Sequence, residues 1–314
     1  MTTPVFISGS LAYDTIMVFD GHFKDHILAD QVHNINVSFF TPRMRKEYGG
    51  CSANIAYNLN ALGGKAIVLA AVGKDGLEYR DRLSSLGIDT SLIYEALETF
   101  TAQAFITTDL SNNQITAFHP GAMFEAHHSR IDSHSSKGNA WGIVAPNSKD
   151  AMIQHAAAFH AAGIPFIFDP GQAMPLFDGS EFKALIAQAG AVAVNDYEAA
   201  LLSERTGWTE QQIADQVKAL IVTRGGDGCT VYEGKNIVQI PVVAISEAKD
   251  PTGCGDAFRG GLLYGISNGW GWADSARLGS VMGGIKIEEQ GGQNHNASRD
   301  AVAPRLFSSF GLKL

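Results

Sequence analysis

The stretch Asp250-Pro251-Thr252-Gly253-Cys254-Gly255-Asp256 sets two glycines around a small residue and then runs into Phe258, Leu262, Leu263 and Ile266, apolar positions at helical spacing. A helix that opens this way leaves several backbone N–H groups unpaired at its N-terminus, and glycine lets an anion approach them without meeting a Cβ. Peptide dipoles there favour a phosphate or a developing oxyanion. Asp256 falls in the first turn, where an ordinary capping carboxylate is one explanation. A carboxylate facing an anion needs another reason, and general base chemistry supplies it. Asp256 would take the proton of a hydroxyl while Gly253, Cys254 and Gly255 hold the phosphoryl group that the hydroxyl attacks.

Other candidates lie at the ends of apolar runs. Val5-Phe6-Ile7-Ser8-Gly9-Ser10 reads as a buried strand followed by a loop, with Asp14 just beyond it. Ligand groups in open α/β sheets come from such loops, so Asp14 is a candidate to hold substrate hydroxyls, with a turn aspartate as the alternative. Gly49-Gly50 opens a helix with Asn54 in its first turn, an arrangement that would admit a ligand against the backbone and offer it a donor and an acceptor. Asn195 and Glu198 follow a strand three residues apart on one helix face and can converge on Mg²⁺ or on a magnesium-bound water, although helix capping uses the same pair. Thr223-Arg224-Gly225-Gly226-Asp227-Gly228 is a second glycine-rich turn at a strand end, suited to another phosphate. No G-x-x-x-x-G-K-[ST] occurs, which excludes a P-loop mechanism. The scattered histidines, His127, His128 and His134 among them, lack metal-ligand spacing and read as surface residues.

The elements that must position these residues follow from periodicity. Beyond 140, strands (Trp141 to Ala145, Ile164 to Phe168, Ala191 to Val194, Leu220 to Thr223) alternate with helices (Ser148 to Ala162, Glu181 to Ala189). That alternation predicts a doubly wound, mostly parallel α/β sheet covered on both faces. Nearer the start, Ile16 to Phe19 and Val32 to Phe40 are β-rich, and Thr101 to Thr108 and Gln114 to Phe118 read as strands joined by the turn Asp109 to Asn113. These segments predict a small inserted β-sheet lid over 15–48 and 101–118, on a core of 1–14, 49–100 and 119–314. An exposed sheet of this kind could bury its face in a homodimer.

Composition narrows the partners. A chain of 314 residues with 45% hydrophobic and 18% charged residues can bury a large core, and its net charge of −9 argues against a nucleic-acid backbone as ligand. A small molecule is the expected partner. Cys51, Cys229 and Cys254 form neither a disulfide framework nor a zinc pattern, which suggests a reducing compartment. With no leader and no apolar run of about 18 residues, the expectation is a cytoplasmic protein that does not enter membranes.

Taken together, Gly49-Gly50 with Asn54, Asn195-x-x-Glu198, Thr223 to Gly228 and Asp250-x-Thr252-Gly253-x-Gly255-Asp256 resemble, in order and spacing, the ribokinase-like (PfkB) family of carbohydrate and nucleoside kinases. Within it, Gly9 to Asp14, Phe118 to Met123, Asp169-Pro170-Gly171-Gln172 and Asn195 to Glu198 are similar to bacterial adenosine kinases of the actinobacterial type. The resemblance implies an ATP-dependent kinase that phosphorylates the 5′-hydroxyl of a nucleoside, adenosine above all, with Mg²⁺. It makes Asp256 the base and the turn Gly253 to Asp256 the anion hole. Ser10, Asp14, Gly49, Gly50, Asn54 and Gln172 become acceptor contacts, and Phe118 a stacking residue from the lid. Asn195, Thr223, Gly225 and Gly228 fall to the nucleotide, and Glu198 with Asn195 to magnesium. Asp250 and Thr252 mark a possible K⁺ site. Cys254 departs from the small residue usual there and reads as a space-filler, though a thiol at a helix N-terminus can have a lowered pKa. A sugar kinase acting on ribose or fructose would share the catalytic residues, and a non-catalytic nucleoside- or sugar-binding regulator could be built on the same scaffold.

Overall fold

The computed structural model describes residues 3–27, 37–111, 113–131 and 139–314. In chain order its strands are β1 (Pro4–Ser8), β2 (Ala12–Val18), β3 (Arg43–Gly49), β4 (Lys65–Gly73), β5 (Ile93–Ala96), β6 (Ala102–Thr108), β7 (Gln114–His119), β8 (Trp141–Val144), β9 (Phe166–Phe168), β10 (Ala191–Asn195), β11 (Ala219–Thr223), β12 (Cys229–Glu233) and β13 (Asn236–Ile240). The α-helices are α1 (Cys51–Ala61), α2 (Leu77–Ser85), α3 (Lys149–Ala161), α4 (Gly179–Gln188), α5 (Asp196–Thr206), α6 (Glu210–Ala214), α7 (Cys254–Ser267), α8 (Trp272–Lys286) and α9 (Arg299–Phe310).

Short unbroken apolar runs such as Ala-Val-Ala-Val in β10 and Ala-Leu-Ile-Val in β11 form strands that are buried on both faces, as a parallel sheet under helices requires. Their alternation feeds two cores. Val5, Ile7, Ala191 and Ala193 pack with Ile55, Leu59, Leu262 and Val281 on one side of the sheet. Phe6, Val192 and Val194 pack with Phe159, Phe182 and Leu202 on the other. The sheet has nine strands in the order β13-β12-β11-β10-β9-β8-β1-β4-β5, parallel from β11 to β5, with the antiparallel hairpin β12–β13 at one edge. The direction of winding reverses beside β1. There the loops after β1 and β8 are tied by the Ser10 amide donating to Pro146 O at 2.9 Å. A reversal of this kind opens a crevice at the strand carboxyl ends, where ligands bind.

A second sheet of four strands, β3-β2-β6-β7, forms the lid. It differs from expectation in two places. Asp14 lies inside β2, which begins at Ala12, rather than in a loop after the first strand. The strand between β2 and α1 is Arg43–Gly49, whereas 37–40 form no strand and 28–36 lie outside the described residues. Its sequence, Arg-Met-Arg-Lys-Glu-Tyr-Gly, carries charge on both faces, so hydrophobic alternation gives no sign of it. Pairing with β2 along its whole length defines it instead. His134 and Asn112 also lie outside the described residues. Hairpin β12–β13 and edge strand β5 were not marked by periodicity.

Helix α7, which carries Asp256, is wedged between α1 and α8 through glycine. A Cβ on Gly260 would meet Asn58 Cβ at 2.6 Å, and one on Gly261 would meet Met282 Cγ at 2.8 Å and the Gly279 backbone at 3.0 Å. One on Gly265 would strike Ser275 Oγ at 2.4 Å. The missing side chains let three helices approach almost backbone to backbone and leave α7 little freedom to shift.

Candidate active site

Gly253 has a left-handed backbone (φ 78°) and caps α7 with no side-chain hydrogen bond. Among the described residues, the backbone N–H groups of Gly253, Gly255 and Asp256 donate to no protein acceptor, whereas the Cys254 amide donates to Pro251 O at 3.1 Å. A Cβ on Gly255 would meet nothing closer than Arg259 Nη1 at 3.2 Å, so the turn is open to a ligand. Asp256 projects from this turn. The residue as a whole keeps intermediate exposure, but its carboxylate lies deep enough that lost hydration pushes its pKa up to about 7, against the pull of the Asn54 amide and the Arg259 charge. An ionisable group poised near neutrality beside unpaired N–H donors suits proton abstraction coupled to anion stabilisation.

Two networks fix Asp256. In the first, Asn54 Nδ2 donates to Asp256 Oδ2 at 2.8 Å, Gln293 Nε2 donates to Asn54 Oδ1 at 3.0 Å, and Arg82 Nη1 donates to Gln293 Oε1 at 2.6 Å. Tyr79, whose hydroxyl lies 2.6 Å from Gln293 Nε2, donates in turn to Gly49 O at 2.8 Å. Asp256 is thereby linked to the Gly49-Gly50 turn. Asn54, read as a ligand contact, has both ends of its amide engaged by protein and keeps one N–H for a ligand. In the second network Arg259, one helical turn after Asp256, forks onto Asp169 (Nε to Oδ2 2.7 Å, Nη2 to Oδ1 3.1 Å) and onto Ala193 O at 3.3 Å. Burial works against the guanidinium charge, but the Asp169 carboxylate more than compensates and raises the Arg259 pKa.

Gly49, Gly50, Ser10 and Asp14 meet on the lid side. A Cβ on Gly49 would lie 2.5 Å from Asp14 Oδ2, and Gly50 (φ 89°) has Ser10 O, Leu11 and Ala12 where its Cβ would fall. Ser10 Oγ accepts from the Cys51 amide at 3.1 Å and so caps α1. Burial, with Glu47 and Asp250 adding negative charge, lifts Asp14 to about 6. Cross-strand register puts Glu47, Asp14, Ala104 and Phe118 in one row, hence on one face of the lid. Phe118 is half exposed at 51%. Gln172 is exposed in the short helical turn after β9, and among the described residues its side chain makes no hydrogen bond.

On the other side, Asn195 and Thr223 end neighbouring strands in register. Asn195 Oδ1 accepts from the Glu198 amide and Glu198 Oε2 accepts from the Asn195 amide, each at 2.8 Å, so the pair forms a capping box. The other Glu198 oxygen has no protein donor among the described residues, and burial followed by the nearby Asp169 charge raises the Glu198 pKa. Gly225 (φ 52°) has open space around it, whereas Gly228 (φ 87°) lies against Ile240 O. Asp250 Oδ1 accepts from the Thr252 amide and Oδ2 from the Gly291 amide, both at 2.9 Å. Two expectations need correction. Cys254 is not activated by its helix terminus, since burial pushes its pKa up to about 11 despite the Lys286 charge. Nor are all histidines on the surface. His155 bridges Ser8 Oγ (2.7 Å) and Ser129 O (2.8 Å), His295 contacts Asn58 Oδ1 (2.7 Å), and burial lowers both to about 4.

Sequence reasoning missed Gln293, and it missed the pairing of Arg259 with Asp169. A charged residue inside the apolar helix Ala257 to Ser267 was a signal for Arg259, because a buried guanidinium needs a carboxylate. Gln293 follows Gly291-Gly292 and had only that glycine pair to mark it; a Cβ on Gly292 would fall 2.6 Å from Asn54 Oδ1.

The chain matches the pfkB family of carbohydrate kinases over residues 14–299. The nucleoside kinase of Methanocaldococcus jannaschii is 30% identical over 290 residues, covering 90% of this chain and 94% of that protein. A structure of Burkholderia thailandensis nucleoside kinase in complex with inosine superposes with a TM-score of 0.88 at 47% identity, covering 98% of this chain and 99% of that one. The same protein in complex with ADP-inosine gives 0.85 at 49%, covering 98% and 97%. Ribokinase from Thermotoga maritima, at 21% identity with a TM-score of 0.80 over 97% of this chain and 99% of that one, shares the fold.

If Asp256 is the base, kcat/KM rises with pH through about 7, and Asp256→Asn lowers the rate by about 10²-fold or more above pH 7, by less at lower pH, and removes that rise from the profile. The raised pKa also sets the sign of a stability effect. The native state keeps a proton that the unfolded chain has released from about pH 4 upward, so the contribution of Asp256 to stability is lost as pH rises towards 7. The Asn variant therefore melts above the wild type at pH 8, by a margin that shrinks at pH 5. Wild-type turnover in the variant, or a margin independent of pH, would remove Asp256 from this role.

Proposed function

Because the chain belongs to the pfkB family of carbohydrate kinases and is a phosphotransferase with an alcohol acceptor, we propose that it transfers the terminal phosphoryl group of ATP to the 5′-hydroxyl of a nucleoside, adenosine in the most specific reading. The observation that carries the acceptor class is the row Glu47, Asp14, Ala104 and Phe118 across the lid. Strands lie about 4.8 Å apart, so Asp14 and Phe118, two strands removed, stand roughly 10 Å from each other. That is the span of a nucleoside. Asp14 would hold ribose hydroxyls, the small Ala104 leaves room for a base, and Phe118 would pack on its face.

In this reading Asp256 accepts the proton of the 5′-hydroxyl as its oxygen bonds to phosphorus, and ADP departs with the electrons of the broken bond. The N–H groups of Gly253, Gly255 and Asp256 hold the equatorial oxygens, while Asn54 keeps the Asp256 carboxylate aimed. Asn195, Thr223, Gly225 and Gly228 are assigned to the nucleotide. The donor set around Glu198 fits Mg²⁺, since one carboxylate oxygen left over from the capping box suits a cation that keeps most of its water. When bound, the ion would offset phosphate charge. Exposed Phe105, Met44 and Ile115 lie on the face of the lid opposite Asp14, and we assign that face to a homodimer. Light scattering should then give twice the chain mass, a value that falls to the monomer's in Phe105→Glu; a wild-type monomer would cancel the assignment.

Two substitutions separate a nucleoside kinase from a kinase of free ribose or fructose. Phe118→Ala should weaken adenosine by roughly 1–3 kcal/mol, the scale of base–aromatic stacking, and leave any phosphorylation of ribose unchanged. Asp14→Ala should damage both acceptors, because a ribose hydroxyl is left unpaired in a closed site. Equal losses for the two acceptors in Phe118→Ala would return the lid to mere packing and the acceptor to a sugar. Glu198→Gln should raise the Mg²⁺ concentration needed for half-maximal rate, and an unchanged titration would leave Glu198 with its capping bond alone.

A further inference from the structure

The family resemblance implies a monovalent cation near Asp250 and Thr252, and the residues present do not fit one. Lys286, the last residue of α8, is completely buried, and its ammonium donates to Asp250 O at 2.8 Å and Glu289 O at 2.9 Å. Among the described residues it has no carboxylate within ion-pairing distance. A buried charge without a counterion survives only where oxygen dipoles replace its water, and here backbone carbonyls do so. A dehydrated potassium or ammonium ion asks for the same surroundings. Both oxygens of the Asp250 side chain are occupied by the Thr252 and Gly291 amides, so its carboxylate faces peptide dipoles.

The position of the ammonium matters as much as its coordination. A lysine that only neutralised its own helix terminus would bond the last carbonyls of α8. Lys286 reaches past them to two other segments. Asp250 begins the turn that ends in the unpaired N–H groups of α7, and Glu289 begins the turn that delivers Gly291 to Asp250 and Gln293 to Asn54. We infer that Lys286 is a built-in substitute for a monovalent cation, joining the anion-binding turn to the segment that orients the base, so that phosphoryl transfer here does not require K⁺. Resting on phosphoryl transfer at the Asp256 turn, the inference adds that the activating charge is covalently part of the chain.

The test compares ADP release and melting temperature in chloride salts of potassium, ammonium, sodium and choline at one ionic strength. Wild-type rates should agree within about twofold across the salts, and its melting temperature should be the same in potassium and choline. Lys286→Met should lose activity at least about tenfold in choline chloride and recover severalfold in potassium or ammonium chloride. Those two salts should also raise its melting temperature in the absence of substrate. Stimulation of the wild type tenfold or more by potassium overturns the inference, as does a folded variant that no cation rescues or that keeps full activity in choline. Should Lys286→Met fail to fold, the wild-type comparison decides, supported by Lys286→Arg, which keeps the charge and should stay insensitive to potassium. Absence of ADP release from the wild type in every salt would count against the phosphotransferase reading instead, and the melting curves would still report on the cation.

Discussion

The Asp256 carboxyl group is held where burial makes losing its proton costly, and much of its surroundings bears on that cost. Burial raises the Asp256 pKa, and the Arg259 charge one helical turn away opposes that rise. Asp169 settles the balance by claiming the Arg259 fork, so that Asp256 feels a guanidinium whose charge is largely neutralised. Asn54 adds one hydrogen bond and a direction. The outcome is a carboxyl group poised near neutrality.

The same logic explains why the strand carboxyl ends crowd with acids. Asp14, Asp169, Glu198, Asp250 and Asp256 come from four segments spread along the chain, the last two from a single turn. Their mutual repulsion is eased at four of them by a local donor: Asp250 by two amides, Asp169 by Arg259, Glu198 by the capping box and Asp256 by Asn54. Asp14 has no such donor among the described residues, and burial, with the Glu47 and Asp250 charges nearby, raises its pKa.

Local signals in the sequence were legible, and contacts between distant segments were not. The αL glycine, the apolar face of α7 and the strand–helix alternation each depend on a few adjacent residues, and they located the glycine turn that opens α7, the parallel sheet and the lid as a class. Arg43–Gly49 escaped because a charged strand on a small sheet is held by its neighbours' backbones. The partnership of Arg259 with Asp169 spans 90 residues and that of Gln293 with Asn54 spans 239, distances at which periodicity carries no information. Asn195 and Glu198 illustrate the opposite difficulty. Their spacing fits a capping box and a metal site equally, and in the fold the pair makes the capping box and leaves one Glu198 oxygen without a protein donor among the described residues.

The glycine contacts that wedge α7 between α1 and α8 also restrict how this protein can diverge. Gly260, Gly261 and Gly265 leave no room for even a methyl group, so almost any substitution along that seam would displace the helix that carries the base. Mutational drift is therefore steered away from the phosphoryl end. The lid meets fewer such constraints, with β7 exposed at every position. Side-chain changes should accumulate there first, along an edge strand open to solvent, while the seam of α1, α7 and α8 passes unaltered from one descendant to the next.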